Sequence, residues 1–175
     1  MKLRAGCVIA GCIVFLIVGE LRAQSSGGFE MPAVSSQPVD YLSAQQIAMK
    51  AKDLTTQAAA AAGGIAGVTL EKYNGHLTML TVRVKSGVGE FHKRDNDIFI
   101  VLDGDATVLT GGMLVDPKAA ASPDEIVGTR VEGGVAHVLH KGDTLHIPAN
   151  TPHQTMVAPG KTFTYYVIKI AEPKQ

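Results

Sequence analysis

From residue 68 onward, short apolar runs are cut again and again by glycine and proline. Asn74-Gly75, Asp103-Gly104, Gly111-Gly112, Gly133-Gly134 and Pro159-Gly160 mark turns, and Asn-Gly suits a type I′ hairpin, which needs φ > 0 at both central positions. Between the turns lie segments 68–73, 76–84, 97–102, 106–110, 126–131, 136–140, 143–147, 154–157 and 163–170, all of strand length. Many short strands with regular turn signals build an all-β barrel. Residues 113–125, with Asp116-Pro117, read as a longer surface loop inserted between strands, a place where binding specificity is often carried.

Ahead of the strands the pattern changes. Ser43-Ala-Gln-Gln46 is a capping box, because the Ser hydroxyl accepts from the N3 amide while the Gln side chain reaches back. The helix it opens is expected over 43–62, closed by Gly63-Gly64, with Ile47, Ala48, Ala51 and Leu54 near one stripe that packs on the outside of the barrel. Residues 24–42, rich in Ser, Gly and Pro, read as a flexible lead-in. Residues 1–23 have the layout of a secretory signal peptide: Lys2 and Arg4, then an apolar run over 5–19, then Leu21-Arg-Ala23 as a small-residue exit. That run is shorter than the roughly 20 residues of a membrane span. The mature protein is therefore expected to be secreted or periplasmic, free of the membrane after cleavage, with residues 43–175 as one domain.

Removing the leader takes away Lys2, Arg4, Arg22 and Glu20 and leaves 13 basic and 15 acidic residues, a formal charge of −2. Such a balance carries no nucleic-acid footprint. Both cysteines, Cys7 and Cys12, lie in the leader, so the mature chain has no disulfide available and must rely on its core.

The chemistry gathers in residues 87–104. Glu90 and His92, two residues apart on a strand, share one face. A short polar turn carrying Lys93 and Arg94 follows, and Asp97 then heads an apolar run. In that run Asp97, Phe99 and Val101 alternate with Ile98, Ile100 and Leu102, so both faces are apolar. About fifty residues on, a second strand ends in a proline-containing turn that presents His153. His76, beside the Asn-Gly turn, reads as a solvated turn residue, and His137 and His140 read as structural. The face of His146 is open, and one of Tyr165 and Tyr166 must point inward.

At these residues the sequence resembles the cupin superfamily, whose first motif reads G-x5-H-x-H-x3,4-E-x6-G and whose second reads G-x5-P-x-G-x2-H-x3-N. Counting back from Gly104 places Asp97 at the family's Glu, His92 at its second His and Glu90 at its first. In the second motif Gly142, Pro148 and His153 stand in place, with Asn150 for Gly and Val157 for Asn. Asn, like Gly, tolerates φ > 0. The resemblance covers roughly residues 70–170 and implies a jelly-roll (double-stranded β-helix) barrel with one N-terminal helix. It also implies a metal site of Glu90, His92, Asp97 and His153.

Two buried carboxylates without a cation each raise the other's pKa, and a divalent ion would balance them. A mixed imidazole and carboxylate set suits Mn, Fe, Co, Ni or Zn, without choosing among them. Phe99 and Val101 share the face of Asp97, and Thr155 and Val157 share that of His153, so these four are expected to line a substrate pocket. The resemblance leaves two functions open. One is a metal-dependent enzyme, an oxygenase, isomerase, decarboxylase or lyase, acting on a small polar molecule, with no catalytic residue legible beyond the ligands. The other is a non-catalytic module that binds a small molecule or ion. A homodimer is expected through the outer face carrying Ile98, Ile100 and Leu102, which one helix is too small to cover.

Overall fold

A computed structural model describes residues 39–173. The expected signal peptide, residues 1–23, lies outside the described residues, as do 24–38, 174 and 175. The elements, in order, are α1 (Ala44–Ala60), β1 (Ile65–Tyr73), β2 (His76–Arg83), β3 (Gly89–His92), β4 (Asp95–Asp103), β5 (Ala106–Thr110) and β6 (Met113–Val115). They continue with β7 (Lys118–Ala119), β8 (Glu125–Gly128), β9 (Arg130–Glu132), β10 (Val135–Leu139), β11 (Thr144–Ile147), β12 (His153–Met156) and β13 (Phe163–Ala171).

The capping box forms: the Ser43 hydroxyl accepts from the Gln46 amide at 3.2 Å, and the Ser43 amide donates to Gln46 Oε1 at 2.8 Å. The helix ends two residues earlier than expected, because Ala61 adopts extended geometry (φ −75°, ψ 136°), and Gly64 at φ 64° then turns the chain into β1. Leu54 and Ala58 on α1 pack against Leu80 and Val82 of β2, with Ile47, Ala51, Leu70 and Leu102 around them.

Two antiparallel sheets make the barrel, one ordered β1-β2-β13-β4-β11 and the other β10-β5-β12-β3-β8-β7. Between them lies the main core, built from Phe99, Val101, Val108, Leu139, Ile147, Phe163, Tyr165 and Val167 among others. The alternation is strict on β4, where Asp97, Phe99 and Val101 are buried while Ile98, Ile100 and Leu102 are only partly so. Leu102 is covered by the helix cluster, whereas Ile98 and Ile100 lie further across the outer face of the first sheet.

Residues 113–125 are more ordered than a plain loop, since they hold β6 and β7. The strand expected over 126–131 is in fact two. β8 belongs to the second sheet, while β9 pairs with β6 in a separate two-stranded ribbon. Thr129 lies between them, and its amide donates to the Val115 carbonyl at 2.8 Å, which draws the chain out of one pairing and into the other.

Gly104 shows why a motif glycine is needed here. It turns at φ 76°, and a Cβ would stand 1.9 Å from the Thr162 carbonyl oxygen. Asn150 adopts φ 62°, in the left-handed region that favours glycine and that asparagine tolerates. Among the described residues no helix is long and apolar enough to cross a membrane.

Leu80 is fully buried where helix and sheet meet. Leu80→Ala is expected to lower the unfolding free energy by about 2–5 kcal/mol in urea denaturation, against no more than about 0.5 kcal/mol for the exposed Met113→Ala.

Candidate metal centre

All four predicted ligands come together. Glu90 and His92 are on β3, Asp97 is on β4 and His153 opens β12. His153 lies directly across from Glu90 in the antiparallel pair. Strand parity sends each side chain to the inner face, where His92, Asp97 and His153 are 6%, 3% and 3% exposed. One atom from each of Glu90, His92 and His153 lies within 4.8 Å of the others. Glu90 Oε2 is 3.9 Å from both His92 Nε2 and His153 Nε2. Asp97 Oδ2 faces the same two nitrogens at 3.3 and 3.8 Å.

The ring orientations suit a ligand role. His153 Nδ1 donates to the Thr151 carbonyl at 3.1 Å, which leaves the Nε2 lone pair aimed at the cluster. Burial pushes the His153 pKa down, against the pull of Glu90 and Asp97, so the ring is held neutral. His92 Nδ1 stands 3.4 Å from Glu125 Oε1, and this too turns Nε2 inward. Burial opposes charge on His92, and Lys169 adds to that opposition. The hydrogen bond to Asp97 and the negative charges of Asp97 and Glu90 outweigh both and raise its pKa.

The cations were missed in the sequence. Arg83, at the end of β2, is 4% exposed inside the barrel. Its Nη2 donates to Glu90 Oε1 at 2.6 Å and its Nε donates to Tyr165 Oη at 3.1 Å. Gly87 makes room for it, because a Cβ there would lie 2.3 Å from Arg83 Nη1. One Glu90 oxygen is thereby taken and the other is left for the cluster. Lys169 stands opposite Asp97 on the neighbouring strand β13. Its Nζ donates to Asp97 Oδ1 and Oδ2 at 2.8 and 3.0 Å and lies 3.1 Å from His92 Nε2. When His92 is neutral, Nε2 accepts from this ammonium; when protonated, it donates to Asp97 instead.

The expectation that Glu90 and Asp97 are two buried carboxylates without a cation, which a divalent ion would balance, overlooked two side chains. Arg83 and Lys169 already pair with them one to one. Both had a legible signal, since Arg83 continues the inward parity of positions 79 and 81, and Lys169 that of 163, 165 and 167. Glu125 has none, because it falls at the end of the segment that reads as a loop.

The three-atom cluster of Glu90, His92 and His153 fits a divalent ion by donor type and by spacing, given bonds of roughly 2.0–2.2 Å to N and O. Phe99, Val101, Thr155 and Val157 are all buried, and Phe99, Val101 and Val157 belong to the packed core. The Phe99 ring meets that of His153 edge-on at 6.5 Å. What exposure the cluster keeps is on Glu90, Glu125 and Lys169, with side chains 24%, 32% and 21% exposed. Of the paired tyrosines, Tyr165 points inward. The other histidines are elsewhere: His137 bonds Thr110, His140 bonds Asp105, His76 stacks on Tyr73, and His146 is exposed on β11.

Each of the two sequence motifs hands the chain from one sheet to the other, β3 to β4 and β11 to β12, and the halves pair β4 with β11 and β3 with β12. The fold is a cupin barrel. No protein-family model matches the chain, and no curated protein sequence does. Solved structures resemble it, cupin proteins among them. A cupin-like protein from Thermotoga maritima is 18% identical, with a TM-score of 0.44, over 61% of this chain and 68% of that one. A DMSP lyase from Ruegeria pomeroyi is 16% identical at TM-score 0.45, over 63% of this chain and 49% of that one. An oxalate oxidase is 16% identical at TM-score 0.45, over 63% and 53%. This chain spans about half the length of the lyase and the oxidase.

Asp97 is 3% exposed and its pKa is lowered, because His92 and Lys169 outweigh the burial that would raise it. Its ionised form therefore stabilises the barrel above the ordinary carboxylate value of 3.8, and that contribution disappears as pH falls through the folded pKa. Lys169→Met leaves the carboxylate buried and without its cation, at an expected cost of about 3–5 kcal/mol at pH 7. Lys169→Met combined with Asp97→Asn is expected to recover most of that in urea denaturation.

Proposed function

We propose that this cupin barrel binds one divalent transition metal ion through Glu90, His92 and His153 and acts as a metal-dependent enzyme on a small polar molecule. The observation that carries the reading is the convergence of two inward-facing imidazole nitrogens and one free carboxylate oxygen within 4.8 Å. Three protein donors, or four with Asp97, leave positions on an octahedral ion for an exchangeable partner, which favours turnover over a closed storage site. When bound, the ion would supply Lewis-acid polarisation of a substrate oxygen. Arg83 holds Glu90 in place from behind, Thr151 and Glu125 orient the two rings, and the aromatic and aliphatic core beneath keeps water from the buried side. The side bordered by Glu90, Glu125 and Lys169 admits a polar or charged substrate.

Two further parts of the proposal concern the whole protein. Residues 1–23 serve as an export signal, supported by Lys2 and Arg4 ahead of the apolar stretch and by the small residue at Ala23. The protein works as a homodimer through the outer face of the first sheet, where Ile98, Ile100, Tyr166 and Ile168 are only half-buried.

Elemental analysis after reconstitution with Mn, Fe, Co, Ni and Zn in turn is expected to give one ion per chain. His92→Ala and His153→Ala should lose it, while His137→Ala and His146→Ala should keep it. Equal retention in all four variants, or no ion in the unsubstituted protein, would sink the metal reading and leave a metal-free binding module. Mass analysis of secreted material should place the N-terminus at Gln24, and light scattering should give twice the chain mass; an intact Met1 or a monomer contradicts the respective part.

A further inference from the structure

Resting on the metal-binding reading, we propose that Lys169 is a built-in occupant of the metal site: it leaves Asp97 when a divalent ion binds, and Asp97 then becomes the fourth ligand. The geometry that carries this is the placement of one ammonium between two of the site's own donors. Lys169 Nζ engages both oxygens of Asp97 at 2.8 and 3.0 Å and sits 3.1 Å from His92 Nε2, so it takes the acceptor positions that an ion would need. Without it, Asp97 is a ready ligand, because its Oδ2 faces His92 Nε2 and His153 Nε2 at distances matching those of Glu90 Oε2.

Charge points the same way. Glu90 and Asp97 are balanced by Arg83 and Lys169, so a divalent ion added with both cations in place puts two uncompensated positive charges in a low-dielectric interior. Arg83 cannot yield, being 4% exposed and held by both Glu90 and Tyr165. Lys169 can. Its side chain is 21% exposed, near the end of β13, and a lysine stem lets the ammonium swing towards water while its methylenes stay against the barrel. Lys169 thus holds the buried Asp97 in the ion-free protein and lowers the apparent affinity for the ion by the fraction of molecules in which it is in place.

Co²⁺ alone, titrated into the metal-free protein and followed by its visible absorption, tests the proposal. Lys169→Met is expected to bind Co²⁺ roughly tenfold more tightly or better, since the occupant that reduces the competent fraction is gone. Adding Asp97→Asn should return the affinity to near that of the unsubstituted protein. Equal or weaker binding by Lys169→Met overturns the proposal, and the three-ligand reading survives if the unsubstituted protein binds Co²⁺ and His92→Ala does not. No binding by any variant overturns both.

A second measurement needs no substitution. Acetylation of Lys169 by a small amine-reactive reagent, read by peptide mass spectrometry, should rise several-fold on Co²⁺ addition while that of the exposed Lys161 stays level. An unchanged or reduced Lys169 signal overturns the proposal whatever the variants do.

Discussion

A carboxylate taken out of water must find a cation, and in this barrel that requirement shapes everything around Asp97. The side chain is 3% exposed, yet its pKa is lowered, because the Lys169 ammonium and the His92 ring stand against it. Glu90 meets the same requirement through Arg83. The pairs are held by different means. Lys169 faces Asp97 by strand register, a few ångströms away across one ladder. Arg83 reaches Glu90 from one sheet to the other, with Tyr165 fixing its Nε and the bare Gly87 leaving it space. Breaking either pair leaves a carboxylate short of a cation inside the barrel, most severely at Asp97, which is 3% exposed.

The histidines depend on this frame. His92 and His153 are oriented by carbonyl and carboxylate partners on their outer nitrogens, so that both inner nitrogens point at the carboxylates. Their opposed pKa shifts follow from position. His153, beside Phe99 and the core, is governed by burial; His92, hydrogen-bonded to Asp97 and near Glu90, is governed by charge. Two imidazoles of one chemical type thus present one neutral donor and one that competes for a proton, an asymmetry that comes from the packing of two sheets alone.

The barrel was legible because its causes are local. The capping box at Ser43, the glycine turn at Gly104 and the alternation along Asp97 to Leu102 each act within a few residues, and each appears in the structure. The two-residue hairpin at Asn74-Gly75 forms as well, but Gly75 alone takes φ > 0 (90°), so it is not the expected type I′ turn, which needs positive φ at Asn74 too. The misreadings were also local in origin. Residues 126–131 look like one strand, but the pairing partners of β8 and β9 lie in different places in the chain, and no short window contains that information. The Gly63-Gly64 pair suggested a helix end that Ala61 supplies first.

Strand parity, readable from the residues alone, puts Glu90, His92, Asp97 and His153 on inner faces, since a side-chain period of two leaves no choice once the strands exist. The turn positions Gly75, Gly104 and Asn150, all at φ > 0, are local in the same way. Which cations meet those carboxylates is settled when the two sheets close on each other. Arg83 and Lys169 are 7 and 72 residues from their partners, and a charge pair depends on distance in space, which falls steeply from solution to the closed barrel. That is why Asp97, a metal ligand by motif, is a lysine's partner in the folded chain.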